Sequence, residues 1–227
     1  MRTTACRLPA SVLSLLASVL WLGGCTLIPE PLPDPTRYYV LSEAPPPANF
    51  DAANASDASS PAGDNPAPAG LRVGLRTIEL APYLKGRSMV VRHGTNELAF
   101  NEYARWAEPL DAAVSGLVRA ELLTSPKIGR VSVYPFRFDE ERDCDVNIRI
   151  TRCEGAQPEP AGPFVTKFAA TIEIAGVGAE PKRVTRRVFI APETPWDGKD
   201  FGALAAALSE AVRALAEDVA AALPAKG

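Results

Sequence analysis

The chain has 227 residues, of which 47% are hydrophobic, and its 24 basic and 27 acidic side chains give a net charge of −3 at pH 7. This length and composition suffice for one hydrophobic core in a single folded domain. The acidic balance argues against a nucleic-acid partner, because such a partner selects for a clustered excess of Lys and Arg.

An apolar segment near the N-terminus ends in a cysteine that follows two glycines. Arg2 and Arg7 precede the apolar residues 8–22, and the sequence Leu-Gly-Gly-Cys occupies residues 22–25. The segment is shorter than the ~20 residues that span a bilayer, and its charged start is typical of a cleaved signal. We predict that residues 1–24 are a lipoprotein signal peptide cleaved after Gly24, with diacylglycerol and N-acyl lipid on Cys25. A plain secretory signal and a membrane span are the alternatives.

The predicted cleavage defines a mature, lipid-anchored protein. It removes two arginines and no acid, which leaves 22 basic against 27 acidic residues and a net charge of −5. A three-chain anchor holds a protein on a membrane more firmly than a single acyl chain does. Thr26 stands where lipoproteins kept at the inner membrane often carry aspartate, and this favours the outer membrane, with the inner membrane as the alternative.

The residues after the cysteine are rich in proline. Alternating prolines in residues 25–36 favour an extended tether that reaches roughly 30 Å. Residues 37–41 have strand composition, whereas residues 43–70 are rich in Pro, Ala, Ser and Asp and predict a disordered insertion. An isolated short strand is stable only when it pairs with a sheet. We therefore predict one domain over residues 37–223 that contains the insertion, followed by a tail at residues 224–227.

From residue 71 onward the hydrophobic pattern predicts alternating strands and helices. A strand runs from residue 71 toward residue 80 with a phase change near Thr77, and a hairpin turns at residues 93–96. Pro109 fits the first turn of an amphipathic helix that ends near Ser125.

The C-terminal half continues with strands and one further helix. Strands are predicted at residues 131–134, 145–151, 168–174 and 183–190, the last three forming a meander. Asp200 is the predicted N-cap of a final amphipathic helix that ends before Pro224. The expected fold is an α/β sandwich in which two main amphipathic helices pack on a mixed, largely antiparallel sheet.

The sequence offers little support for catalysis or for a metal site. His93 is the only histidine, and no serine lies in a Gly-x-Ser-x-Gly setting, so we interpret His93 as an exposed turn residue. The acidic residues between positions 139 and 145 lack the Gly and the final Glu of an EF-hand and are interpreted as a solvated loop. We predict no catalytic residue, no bound metal and no cofactor other than the covalent lipid.

Two cysteines flank the clearest predicted strand. Cys144 and Cys153 lie nine residues apart, roughly 30 Å in extended chain, whereas a disulfide requires Cα atoms within about 7 Å. Their odd spacing also places them on opposite faces of a regular strand. We predict two unpaired thiols, with pairing between chains as the alternative.

Charged and aromatic side chains supply the remaining candidates. Lys182, Arg183, Arg186 and Arg187 are interpreted as charges that protect an edge strand, with binding of anionic lipid as the alternative. Large aromatic residues more often complete a core or an interface than contact a ligand. The candidate fold or interface residues are Tyr38, Tyr39, Tyr83, Trp106 and Pro109.

Several short motifs together resemble a known family. They are Cys25 in its glycine context, residues 36–41, the Pro-Tyr-Leu sequence at residues 82–84, residues 96–98 and the Arg-Trp-Ala-Glu-Pro-Leu sequence at residues 105–110. In this order they resemble the PqiC/YmbA family of ABC-type transport auxiliary lipoproteins. The long insertion at residues 44–69 departs from the family pattern.

The resemblance implies a docking role. It implies an outer-membrane lipoprotein facing the periplasm that works with an ABC permease and an MCE-domain (mammalian cell entry) protein to move lipids or hydrophobic compounds between membranes. Docking onto a symmetric assembly favours a homo-oligomer of this chain. The alternatives are a tethered activator of a periplasmic cell-wall synthase and an envelope hydrolase.

Overall fold

A long central strand organises the sheet of this protein. The computed structural model describes residues 33–42, 70–178 and 184–224. The strands are β1 (Arg37–Tyr39), β2 (Leu71–Leu75), β3 (Glu79–Leu80), β4 (Ser88–His93), β5 (Glu97–Trp106), β6 (Ile128–Val133), β7 (Cys144–Gln157), β8 (Phe164–Gly176), β9 (Val184–Ile190) and β10 (Pro195–Trp196). The helices are α1 (Leu110–Thr124) and α2 (Phe201–Ala222), and a 3-10 turn covers Pro82–Leu84.

Strand β7 joins the two halves of the sheet. One of its edges pairs antiparallel with β8 along nearly its whole length. Its other edge pairs in parallel with β2, β3 and β4 in succession. In the described part of the chain, β6 extends the sheet beyond β2, β5 and β1 extend it beyond β4, and β9 and β10 pair with β8. The mixed sheet with its long antiparallel ladders confirms the predicted fold class.

Both helices pack on one face of the sheet. Residues at helical spacing form a buried stripe on each helix, as expected for an amphipathic helix on a core. These residues are Leu110, Val114, Leu117, Val118 and Leu122 of α1 and Leu204, Leu208, Val212, Leu215 and Val219 of α2. Alternate residues of β7 and β8 complete the core, among them Ile148 and Ile172.

The ends of the helices follow local sequence chemistry. The carboxylate of Asp200 accepts hydrogen bonds from the backbone N–H groups of Gly202 at 2.8 Å and Ala203 at 3.1 Å, which confirms the predicted N-cap. Pro109 lies at the N-cap of α1, one residue before the predicted first turn, and its carbonyl accepts a hydrogen bond from the N–H of Ala113. None of the helices among the described residues is long and apolar enough to span a bilayer.

A β-bulge at Thr151 corrects the prediction for the two cysteines. Ile150 lies opposite Ala170, but Arg152 lies opposite Ala169, so β7 carries one extra residue. The extra residue turns Cys153 toward the core, the same face as Cys144, and both thiols are free and buried. The expectation of opposite faces is therefore wrong, because simple alternation does not count a bulge.

The short N-terminal strand pairs with the sheet as expected. Arg37–Tyr39 runs parallel to β5, with Tyr39 opposite Trp106. Strand β5 continues through residues 103–106, up to the short segment that leads into α1. The predictions for residues 1–24, for most of the tether, for the insertion at residues 43–69 and for residues 225–227 lie outside the described residues.

Candidate functional site

The outer edge of β5 exposes aromatic side chains. Strand β1 covers β5 only at residues 104–106, so residues 97–103 have no strand on that side in the described part of the chain. Phe100 is 54% exposed and Tyr38 is 58% exposed, and Val40 and Tyr103 are exposed as well. We call Tyr38, Val40, Phe100 and Tyr103 the aromatic edge. Apolar side chains on an open sheet edge are typical of a surface that binds another protein.

The backbone of the aromatic edge is irregular. The side-chain oxygen of Asn101 accepts hydrogen bonds from the N–H groups of Tyr103 at 2.9 Å and Ala104 at 2.6 Å. The register with β4 shifts in the same stretch. A bulge of this kind bends an edge strand and discourages indiscriminate strand pairing. The aromatic edge therefore favours binding of a partner through its side chains over pairing of its backbone with another strand.

Strand β9 forms a second exposed edge with a different character. Val188 is 70% exposed and Ile190 is 73% exposed, and β9 pairs only with β8 among the described strands. Arg186 pairs with Glu173 at 2.9 Å and Arg187 pairs with Asp218 at 2.7 Å. Two of the four basic residues predicted to protect this edge therefore sit in ion pairs, and Lys182 and Arg183 lie outside the described residues.

The predicted fold or interface residues occupy different environments. Trp106 is only 3% exposed and belongs to the hydrophobic core. Tyr39 packs against the core, and its ring centroid lies 6.4 Å from that of Phe201. Tyr38 faces solvent on the aromatic edge. Tyr83 is half-buried beside a charged cluster.

That cluster surrounds the buried carboxylate of Glu154. Tyr83 donates a hydrogen bond to Oε2 of Glu154 at 2.6 Å, and Nε of Arg92 donates to Oε1 at 2.6 Å. Nε of Arg152 donates to the same Oε1 at 3.1 Å. Burial and the hydrogen bond to Glu154 raise the pKa of Tyr83, so its hydroxyl stays protonated and donates. The hydrogen bond to Glu154 also raises the pKa of Arg92.

Sequence reasoning identified Tyr83 but not its partners. Glu154 lies beyond the bulge at Thr151, so simple alternation from Ile148 and Ile150 places it on the wrong face. An acidic residue close to two arginines at the end of an apolar strand was the available signal. It does not by itself distinguish a buried cluster from a solvated one.

The catalytic alternatives gain no geometric support from the described residues. His93 ends β4 and is half-buried, in contrast to the exposed turn position that was predicted. Its Nδ1 lies 3.3 Å from Oε1 of Gln157, the hydrogen-bond partner of its ring, and Phe164 packs against the ring edge-to-face. No group of three or more His, Cys, Asp or Glu side chains in the described ranges could hold a metal ion.

The acidic segment between β6 and β7 is solvated only in part. Asp139 and Glu141 are exposed, as a solvated loop predicts, whereas Glu140, Asp143 and Asp145 are held in ion pairs. Oδ1 of Asp143 accepts a hydrogen bond from Arg72 at 2.7 Å. Asp145 is buried and pairs with Arg142 at 2.8 Å. The hydroxyl of Ser132 donates to Glu140 and lowers the pKa of that carboxyl. These contacts hold the connection between β6 and β7 against the neighbouring strands of the sheet.

Comparisons with known proteins agree with this architecture. A family model described as ABC-type transport auxiliary lipoprotein component matches residues 52–220, more than half of the chain, and confirms the family resemblance. No curated protein matches the chain. A crystal structure of a Xanthomonas campestris protein, described by the family model DUF330, has a TM-score of 0.57 and 20% identity over 69% of this chain and 86% of that chain.

A second crystal structure, of an uncharacterized protein, has a TM-score of 0.53 and 17% identity over 68% of this chain and 94% of that chain. At these identities the structural likeness shows the fold alone.

Proposed function

Because the chain belongs to the family of ABC-type transport auxiliary lipoprotein components, we propose that it docks a periplasmic transport assembly at the outer membrane. In this proposal Cys25 carries the lipid anchor, and the folded domain faces the periplasm. The partners are an MCE-domain protein and an ABC permease, and the cargo is a lipid or another hydrophobic compound. The protein contributes contacts and not chemistry, and it acts as a homo-oligomer.

The family match over residues 52–220 carries the proposal. The exposed apolar side chains of the aromatic edge and of β9 support a binding role, because neighbouring exposed apolar groups are typical of surfaces that bind other molecules. Anchoring raises the effective concentration of the domain near partners that reach across the periplasm. Modest contacts at these edges therefore suffice for docking.

Site-specific photocrosslinking in cells tests the proposal. A photoreactive amino acid replaces Phe100 on the aromatic edge or Val188 on β9, and both positions are exposed, so the fold is preserved. Glu217, exposed on α2, is the matched control position. We expect adducts with an MCE-domain protein or with a second copy of the chain from the edge positions and none from Glu217.

The outcomes separate the candidate functions. Adducts with a cell-wall synthase would favour the role of tethered activator. Equal adducts from Glu217, or none from either edge, would contradict docking through the sheet edges. Native mass spectrometry of the detergent-solubilised protein tests the homo-oligomer, and a single-chain mass at every concentration would contradict it.

A further inference from the structure

Three basic side chains lie close together on the face of the sheet opposite α1 and α2. Lys167 of β8 lies directly opposite Glu154 of β7, and Arg152 precedes Glu154 by two residues on the same face. Arg92 of β4 lies opposite Ala156, the next residue of β7 on this face. The register of three neighbouring strands therefore brings these side chains together.

The acidic groups in this cluster do not balance the basic ones. Arg92 and Arg152 both contact the same oxygen, Oε1 of Glu154, so one carboxylate faces two guanidinium groups. Lys167 pairs with Glu193, whose side chain is half-exposed. The cluster of Arg92, Arg152, Lys167, Glu154 and Glu193 thus keeps one net positive charge. One of the two arginines is sufficient to neutralise the negative charge of the Glu154 carboxylate.

The two arginines differ in how they are committed. Nε and both terminal nitrogens of Arg92 are engaged, since Nη1 donates to the carbonyl of Thr95 at 3.2 Å and the other two contact Glu154. Nε and Nη2 of Arg152 contact Glu154, whereas its Nη1 contacts no acceptor in the described part of the chain. Arg152 therefore keeps one guanidinium nitrogen with which to bind a second anion, and Arg92 holds Glu154 in place.

A cleft of about 430 Å³ opens at this point and is lined by the three basic residues and by Gly94 and Thr95 of the β4–β5 turn. We propose that this cleft binds a phosphate group, held by the guanidinium of Arg152 and the ammonium of Lys167. A guanidinium with free N–H groups beside an ammonium suits the several oxygens and the charge of a phosphate. The phosphate comes either from a small soluble compound or from a phospholipid headgroup. The inference does not depend on the proposed docking function.

Titration of the detergent-solubilised full chain tests the site. The probes are inorganic phosphate, short-chain phosphatidylglycerol and short-chain phosphatidylcholine, added at constant ionic strength. The amide NMR signals of Gly94 and Thr95 report binding. Arg152→Gln removes the free donor, and Arg149→Gln is the matched control, because Arg149 is exposed on the same strand and the same face.

We expect phosphate to shift both signals, Arg152→Gln to weaken binding about tenfold or more, and Arg149→Gln to leave it unchanged. Saturation by inorganic phosphate alone identifies a soluble source, whereas tighter binding of phosphatidylglycerol than of phosphate and phosphatidylcholine identifies a headgroup. Lys167→Gln provides a second test if Arg152→Gln lowers the thermal midpoint. The absence of a shift with every probe, or equal binding by both basic-site variants and the wild type, would overturn the proposal.

Discussion

The two cysteines of β7 are held as unreactive thiols by burial. Burial, with a smaller effect of Asp143 and Asp145, raises the pKa of Cys144 to about 11. Burial and the neighbouring Glu154 raise the pKa of Cys153 to about 12. Nucleophilic attack requires the thiolate, and at pH 8 a Cys144 thiol with this raised pKa is almost entirely protonated. These cysteines therefore act as small apolar core residues.

We predict that neither cysteine is alkylated by iodoacetamide in the native protein at pH 8 and that both react in guanidinium chloride. Raised thiol pKa values contribute stability that is complete below the unfolded value near 9 and is lost as the pH rises toward 11. The chemical denaturation midpoint should accordingly fall above pH 9. Peptide mapping of the labelled protein measures each site, and rapid native labelling of Cys153 would contradict its burial.

At the scale of elements, an aromatic cluster holds the end of β7 against the start of α2. The ring of Trp196 packs against Phe164 and Phe201, each with a centroid distance of 5.6 Å. A Cβ atom on Gly155 would lie 2.5 Å from the Trp196 ring. Gly155 is therefore required by close packing, whereas Gly116 in the exposed part of α1 has open space around it.

Alanine at these two glycines should change stability in opposite directions. Gly155→Ala forces the tryptophan ring to move and should lower the free energy of unfolding by about 1–3 kcal/mol. Gly116→Ala removes a flexible residue from a helix and should raise it by about 0.5–1 kcal/mol. Urea denaturation of both variants measures the difference. A neutral Gly155→Ala would show that the ring is not tightly held.

The same elements show how far the sequence predicts the structure. Alternation of Val146, Ile148 and Ile150 correctly predicts the core face of β7, because a regular strand has a period of two. The extra residue at Thr151 breaks that period, and its position follows from pairing with β8, a tertiary contact that local pattern does not contain. The Glu154 cluster follows from the bulge, so it too escapes prediction from sequence.

The aromatic edge has a related explanation. Phe100 and Tyr103 have the composition of buried strand residues, and composition does not tell an outer strand from a central one. Phe100 and Tyr103 are exposed because, in the described part of the chain, β1 pairs with only three residues of β5. The order of the strands in the sheet decides which strand lies at the outside, and the local sequence pattern does not reveal that order.

At the scale of the whole molecule, the proposed anchor and the hydrophobic core lie in separate parts of the sequence. The hydrophobic core takes its buried residues from Leu71 through Leu223. The proposed lipid site at Cys25 lies far outside this range in the sequence. A change at the anchor should therefore affect location and processing and leave the stability of the folded domain intact.

We predict that Cys25→Ala abolishes incorporation of labelled palmitate and leaves the precursor uncleaved after Gly24, because the lipoprotein peptidase requires the acylated thiol. Cys6→Ala is the matched control, since Cys6 belongs to the predicted signal peptide and should be dispensable for acylation. The thermal midpoint of the folded domain should be the same in both variants. Palmitate still entering the Cys25→Ala protein, or its loss in Cys6→Ala, would show that the anchor lies elsewhere.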